Sequence, residues 1–143
     1  MTKITTETKI QVRYGETDQM GVVYHGNYAQ YFEIARLTWL EELGFSYKKM
    51  EENGIMLPVV SLHTEFKKSA KFDDILTIRT RLRKEPSVKI EFDYELFNAE
   101  GELLTTGGTV LVFISKETRR PIKCPEDMLK KINSYSGSIT ETP

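Results

Sequence analysis

The sequence predicts an α+β domain in which a five-stranded antiparallel sheet curls around one long central helix. The helix is indicated by residues 28–43, where ten of sixteen residues are apolar and Gly44 follows as a natural C-terminal stop. An ordinary surface helix needs a narrower apolar stripe, so this helix has to be covered on most sides. One strand-like segment before the helix and four after it supply that cover.

Three of the five strands are predicted from alternating apolar and polar residues. Residues 8–13, 76–83 and 88–96 each alternate, and the outward positions of the last two carry mostly Arg, Lys, Glu and Asp. A period of two is typical of a strand with one buried face and one face in water. These strands therefore belong to a sheet that is covered on one side.

Two further strands are predicted at residues 57–66 and 103–114. The aliphatic run at residues 110–114 favours a position in the sheet interior, and residues 98–101 (Asn-Ala-Glu-Gly) predict a turn before it. The pair Gly107 and Gly108 indicates a bulge or a close approach of another group to the backbone. Short helices are predicted at residues 46–52 and 125–132.

Length and composition favour one domain over residues 1–143, with a short polar tail from about residue 134. The charged fraction is 29% and the net charge is −1, which gives no electrostatic footprint for nucleic acid. We see no signal peptide and no stretch long enough to cross a membrane, so we expect a cytoplasmic protein. The single cysteine, Cys124, agrees with a reducing compartment and more often fills space than reacts.

The loop between the first strand and the long helix departs from this structural pattern. Val22, Val23 and Tyr24 are apolar residues in a loop, which indicates that the loop packs inward and carries Asp18 into a partly enclosed place. Gly26 and Asn27 precede the helix, and Asn27 is a good N-cap residue. The sequence therefore predicts a carboxylate beside the free N–H groups of a helix start.

Several motifs resemble a known family over roughly residues 8–115. They are Thr17-Asp18, Gly-Val-Val-Tyr-His at 21–25, Asn27-Tyr28, Glu-Ile-Ala-Arg at 33–36 and Ala-Lys-Phe-Asp-Asp-Ile-Leu at 70–76. This set resembles the active-site region of the hydroxybenzoyl-CoA thioesterase-like hotdog family, in particular its bacterial acyl-CoA thioesterase branch. Gln19 and Met20 depart from the small residues that many relatives have there.

The resemblance implies a hotdog fold and hydrolysis of an acyl-CoA to a carboxylic acid and CoA. Asp18 would act as nucleophile or general base, and the backbone amide of His25 would stabilise the oxyanion. Tyr24, Gly26 and Asn27 are the further substrate-binding candidates of this segment. The family also implies a CoA-binding turn, whose candidates here are Lys84, Ser87 and Lys89, no cofactor, and a homodimer or homotetramer with sites at the subunit interface.

Other chemistries have weaker signals. A hotdog dehydratase or hydratase would need an acid/base pair that is not visible, and a non-catalytic acyl-thioester-binding module would not need Asp18. The two histidines are far apart in the sequence, which disfavours a metal site, and no serine lies in a Gly-X-Ser-X-Gly elbow. Acyl length, an aromatic or an aliphatic acyl group, and CoA or acyl carrier protein as its carrier stay open.

Overall fold

A computed structural model describes residues 4–135 of the chain. Most of the polar tail predicted from about residue 134 therefore lies outside the described residues. Within them, no helix is long and apolar enough to cross a membrane.

The main sheet has five antiparallel strands in the order β1-β4-β5-β6-β3. Its strands are β1 (Thr5–Gln11), β3 (Val59–Phe66), β4 (Ile75–Leu82), β5 (Lys89–Phe97) and β6 (Leu103–Val112). A two-stranded ribbon consists of β2 (Ile55–Met56) and β7 (Ile114–Ser115), and the helices are α1 (Tyr28–Leu43), α2 (Tyr47–Glu52) and α3 (Glu126–Ser134). The predicted α+β architecture, a five-stranded antiparallel sheet with one long helix, is confirmed.

Helix α1 is the centre of the core, as its apolar composition predicts. Trp39 and Phe32 are fully buried, and the Phe32 ring stacks on Tyr94 of β5 with centroids 4.4 Å apart. A Cβ at Gly107 of β6 would lie 2.7 Å from the Phe32 ring, so only glycine allows helix and sheet to approach this closely. The close approach predicted at Gly107 is confirmed, and Gly44 ends the helix with φ of 100°.

The bounds of two predicted strands are corrected. The predicted strand 57–66 is interrupted at Pro58, which has no N–H for a ladder, so Ile55–Met56 pairs with β7 and β3 starts at Val59. The predicted strand 103–114 also ends earlier, at Val112. The next strand residues, Ile114–Ser115, leave the main sheet and pair with Ile55–Met56. The predicted turn is confirmed, with the Gly101 amide 3.0 Å from the Asn98 carbonyl.

The outer face of the sheet neutralises its own charge. Arg79 on β4 pairs with Glu7 and Glu95, and Arg83 pairs with Asp93 at 2.8 Å and with Glu91. The arginine-rich strand is thus a solvated face on which Arg79 and Arg83 already have acidic partners. Elsewhere, Cys124 is 7% exposed, and burial raises the pKa of its thiol to about 12.

Candidate active site

Asp18 lies in a tight hairpin between β1 and α1. Its amide donates to the Val22 carbonyl at 2.9 Å, and its carbonyl accepts from the Gly21 amide at 3.0 Å. Gly21 has φ of 79°, the left-handed conformation that glycine adopts without strain. An antiparallel bridge between Thr17 and Val23 closes the hairpin, so Asp18 has a fixed backbone position.

The Asp18 carboxylate is held through one oxygen. Oδ1 accepts from the Met20 amide at 2.8 Å and, more weakly, from the Val22 amide at 3.4 Å. Oδ2 makes no hydrogen bond to any residue in the range 4–135. The hairpin therefore orients the carboxylate while leaving one oxygen available to a substrate or a water molecule.

The hairpin is attached to the segment that leads into β4. The Val23 amide donates to the Ala70 carbonyl at 2.8 Å, Val22 bridges Lys71, and Val23 is 5% exposed. The predicted inward packing is right for Val23, whereas Tyr24 stays half exposed. In the single chain Asp18 is exposed, so the chain alone does not enclose it.

Glu16 connects the hairpin to the start of α1, a role that the sequence analysis missed. Its carbonyl accepts from the Tyr24 amide at 2.9 Å and from the Asn27 side-chain amide at 2.8 Å. Asn27 occupies the N-cap position of α1 as predicted, but its side chain makes no capping hydrogen bond. Asn27 already has helical backbone angles because a 3-10 turn, His25–Asn27, precedes α1, and its side chain points to the loop.

Both oxygens of the Glu16 carboxylate also accept hydrogen bonds. Oε1 accepts from the Arg13 amide at 2.8 Å and from the Tyr31 hydroxyl at 3.0 Å, and Oε2 pairs with the Arg13 guanidinium at 3.1 Å. Burial raises the pKa of the Glu16 carboxyl, but these hydrogen bonds outweigh burial and hold the pKa below its ordinary value. An Arg-X-X-Glu pair before a short turn is the capping-box-like signal that could have identified it.

The amides of His25 and Gly26 are free donors. Neither makes a hydrogen bond within the part of the chain that the structure describes, and both lie in the turn that enters α1. The N-terminal end of a helix adds partial positive charge, so these amides suit a developing oxyanion. A Cβ at Gly26 would lie 2.5 Å from the Tyr24 ring, so that ring covers the glycine backbone.

The His25 ring has a packing position. Its centroid is 4.4 Å from the Tyr24 ring and 6.3 Å from the Phe66 ring of β3. Phe66 also contacts Tyr28 at 5.0 Å, which joins the edge strand to the start of α1. The free amides therefore lie beside the exposed end of β3.

The predicted CoA-binding residues lie elsewhere in the same chain. Lys84 and Ser87 lie in the turn between β4 and β5 and Lys89 is the first residue of β5, whereas the Asp18 hairpin is next to the other end of β4. Eight residues of strand separate the two ends by roughly 26 Å. Lys84 also pairs with Glu91 at 3.0 Å. One chain does not bring this turn to its own Asp18.

Comparisons with known proteins identify the family to which this fold belongs. The sequence profile of the thioesterase-like superfamily matches residues 12–132. YneP of Bacillus subtilis is 34% identical over 118 residues, which span 82% of this chain and 86% of YneP. A DHNA-CoA thioesterase from Staphylococcus aureus is 42% identical, with a TM-score of 0.86 over 92% of this chain and 89% of that one.

A second solved structure extends the same picture. Slr0204, a 1,4-dihydroxy-2-naphthoyl-CoA thioesterase from Synechocystis, is 27% identical with a TM-score of 0.84, covering 90% of this chain and 96% of its own. The chain belongs to the thioesterase-like superfamily. The family resemblance, the hotdog fold and the class of thioester hydrolase predicted from the sequence are thereby confirmed.

Proposed function

We propose that this protein is an acyl-CoA thioesterase that hydrolyses the thioester to a free carboxylic acid and CoA. The observation that carries the proposal is the loop from Asp18 to Gly26, which holds a carboxylate with a free oxygen and two free amides at a helix start. A thioester needs an attacking group and an oxyanion site, and this loop has both. The names of the similar solved structures support CoA as the carrier.

The proposed mechanism uses Asp18 and the backbone of His25. Asp18 Oδ2 either attacks the carbonyl and expels the CoA thiolate, forming an acyl-carboxylate intermediate that water then hydrolyses, or takes a proton from a water molecule that attacks the carbonyl and displaces the CoA thiolate. The His25 amide, with the Gly26 amide, donates to the oxyanion that forms. One such donor typically lowers the barrier by about 3 kcal/mol. Tyr24 and Asn27 position the two amides, through the ring over Gly26 and the bond to Glu16.

We further propose that the working unit contains at least two copies joined along β3. Val60, Leu62 and Phe66 of this edge strand are 46–55% exposed, which is a large apolar surface on an unpaired edge. Two identical edges that continue one sheet run antiparallel under two-fold symmetry. The β4–β5 turn of the second copy then lies on the same side as Asp18, so its Lys84, Ser87 and Lys89 can bind the CoA phosphates.

Cytoplasmic localisation completes the proposal. The single, buried and unpaired Cys124 suits a reducing compartment, where disulfides are rare.

The direct test is a thiol-release assay with short-chain, medium-chain, long-chain and aromatic acyl-CoAs. We expect stoichiometric release of CoA and free acid from at least one class, with acyl-pantetheine thioesters hydrolysed less efficiently. A dehydratase or hydratase would instead change an enoyl-CoA or hydroxyacyl-CoA without releasing thiol. Binding of acyl-CoA without any turnover would instead indicate a non-catalytic acyl-thioester-binding module.

A further inference from the structure

We propose that Met20 is a reversible oxidation site, at which a peroxide converts the thioether to a sulfoxide and thereby lowers the activity of the enzyme. The loss of activity rests on the acyl-CoA thioesterase function proposed above, whereas the oxidation itself does not. Met20 is one of the two hairpin positions that depart from the small residues of many relatives, and the proposed mechanism assigns no role to its side chain.

Met20 is the most exposed sulfur-containing residue in the range 4–135. It is 85% exposed, whereas Met56 is half-buried and Met50 and Met128 are buried. Cys124 is buried as well, and burial raises the pKa of its thiol to about 12, so it carries almost no thiolate for a peroxide to oxidise. Because oxidation follows exposure and thiolate character, a peroxide should react with Met20 first.

The backbone of Met20 holds the Asp18 carboxylate. Its amide donates to Asp18 Oδ1 at 2.8 Å, the shorter of the two hydrogen bonds to that oxygen. Met20 also lies inside the tight turn in which the Gly21 amide donates to the Asp18 carbonyl at 3.0 Å. A new contact made by the Met20 side chain therefore acts on the residue that orients Asp18.

Oxidation places a hydrogen-bond acceptor at this position. One oxygen atom of hydrogen peroxide is transferred to the sulfur, the O–O bond breaks, and the other oxygen leaves as water. The sulfur is oxidised by two electrons and the peroxide is reduced by two. The sulfoxide oxygen carries partial negative charge, so it repels the Asp18 carboxylate and competes with Oδ1 for the Met20 amide. Asp18 is then held less firmly in its productive position.

The rest of the hairpin does not depend on the Met20 side chain. The bridge between Thr17 and Val23 closes the hairpin, and the Val23 amide donates to the Ala70 carbonyl at 2.8 Å. These contacts lie at the base of the hairpin, away from its tip. Oxidation should therefore lower activity without unfolding the protein.

The test treats the protein with hydrogen peroxide, removes the oxidant, and measures oxidation and turnover in the same sample. Peptide mass mapping should find the added oxygen atom on Met20 before it appears on Met56, Met50 or Met128. We expect kcat of the wild type to fall by at least about fivefold on the acyl-CoA that it hydrolyses best. Methionine sulfoxide reductases, one for each epimer, supplied with a dithiol as reductant, should restore kcat.

Three variants separate Met20 from the other sulfur atoms. Met20→Leu keeps an apolar side chain of similar size without the sulfur, so its kcat after peroxide should equal its own kcat before treatment. Met56→Leu is the matched control, which keeps the Met20 sulfur and should lose as much activity as the wild type. Met20→Gln, which places a polar acceptor there permanently, should have a lowered kcat that peroxide does not change further.

Hydrogen exchange at the Met20 amide gives a readout that is independent of turnover. This exchange should become faster in the oxidised wild type, because the bond to Asp18 is weakened. Oxidation of another methionine first, unchanged kcat in protein fully oxidised at Met20, or equal losses in Met20→Leu and wild type overturns the proposal. Absence of hydrolysis of every acyl-CoA by the untreated wild type would instead refute the proposed function, and mass mapping and hydrogen exchange would then decide whether peroxide acts at Met20 and releases Asp18.

Discussion

The two edge strands of the main sheet, β1 and β3, differ in how much of their surface is buried. At the β1 edge, Thr5 and Thr6 are buried, and the Trp39 indole donates to the Ile4 carbonyl at 3.2 Å. At the β3 edge, seven of the eight residues of Val59–Phe66 are exposed, among them Leu62 and Phe66. Within residues 4–135 neither edge pairs with a further strand, but the β1 edge begins with buried residues whereas the β3 edge is almost entirely exposed.

The difference in exposure matters because the exposed β3 edge lies next to the candidate active site. Phe66 at the end of β3 contacts the His25 ring and Tyr28, so the apolar edge and the free amides form one continuous surface. Exposed apolar area beside a polar site is typical of an interface or a ligand groove. We therefore expect changes at the β3 edge to affect activity and equivalent changes at the β1 edge to have little effect.

The largest effect should come from Asp18 itself. Asp18→Asn keeps the shape of the side chain but removes the nucleophile or base, so kcat should fall by at least about a hundredfold while the protein stays folded. Steady-state hydrolysis and the thermal unfolding midpoint are measured together. His25→Ala is the comparison variant, and it should keep appreciable activity because the backbone amide remains. Turnover within a few-fold of wild type in Asp18→Asn would remove Asp18 from the mechanism.

The two edges can be compared directly by placing a charge on each. Leu62→Glu puts a carboxylate on the apolar row of β3, so it should shift the protein to monomers in sedimentation velocity and lower kcat/KM by at least about tenfold. Lys9→Glu is the matched change on β1, where Lys9 is exposed, and should alter neither property. A fully active wild-type monomer under assay conditions would contradict the role that we assign to the β3 edge.

Glu16→Gln should have an intermediate effect. It weakens the bonds to Arg13 and Tyr31, so we expect a loss of about 1–3 kcal/mol of stability and a lower kcat from a less ordered loop. Because the folded-state pKa of Glu16 is lowered, its stabilisation is present above the ordinary Glu pKa and is lost as the pH falls through the folded-state value.

The pH dependence provides the control for this variant. Chemical unfolding of wild type and Glu16→Gln should show a stability difference that is full at neutral pH and shrinks as the pH falls below about 4.5. A difference that stays constant down to strongly acid pH would show that the Glu16 charge does not hold the loop.

The smallest effect is expected at the β4–β5 turn. Lys84→Gln combined with Lys89→Gln should raise KM for acyl-CoA several-fold while leaving KM for the truncated acyl-pantetheine thioester unchanged, because only CoA carries the nucleotide phosphates. Both substrates should keep their kcat. Equal increases of KM for the two thioesters would argue against phosphate contact, and salt dependence of KM gives an independent check.

Much of the fold follows from local sequence patterns. Residue type alone indicates which segments are buried or closely packed. This holds for the apolar surface of α1, the alternation in β4 and β5, and the glycine pair of β6. The break at Pro58 was visible in the sequence but not its consequence, since the pairing of Ile55–Met56 with Ile114–Ser115 joins segments nearly sixty residues apart. Long-range pairing of such short segments leaves no periodic signal.

The site was predicted in part, for a comparable physical reason. Asp18 and the helix start belong to one contiguous segment, so motif and local structure point to the same place. Glu16 was missed because a carboxylate in a turn is usually a solvated side chain. Only its tertiary partner, the Tyr31 hydroxyl, distinguishes it.

The single cysteine has a practical consequence for enzymology. Reagents that report CoA release react with thiolates, and a buried thiol with a pKa of about 12 carries almost no thiolate at assay pH. The folded enzyme should therefore contribute no background signal, even at high enzyme concentration. The same thiol becomes reactive when the chain unfolds. The rate at which Cys124 reacts with the thiol reagent therefore measures unfolding in the same assay that measures turnover.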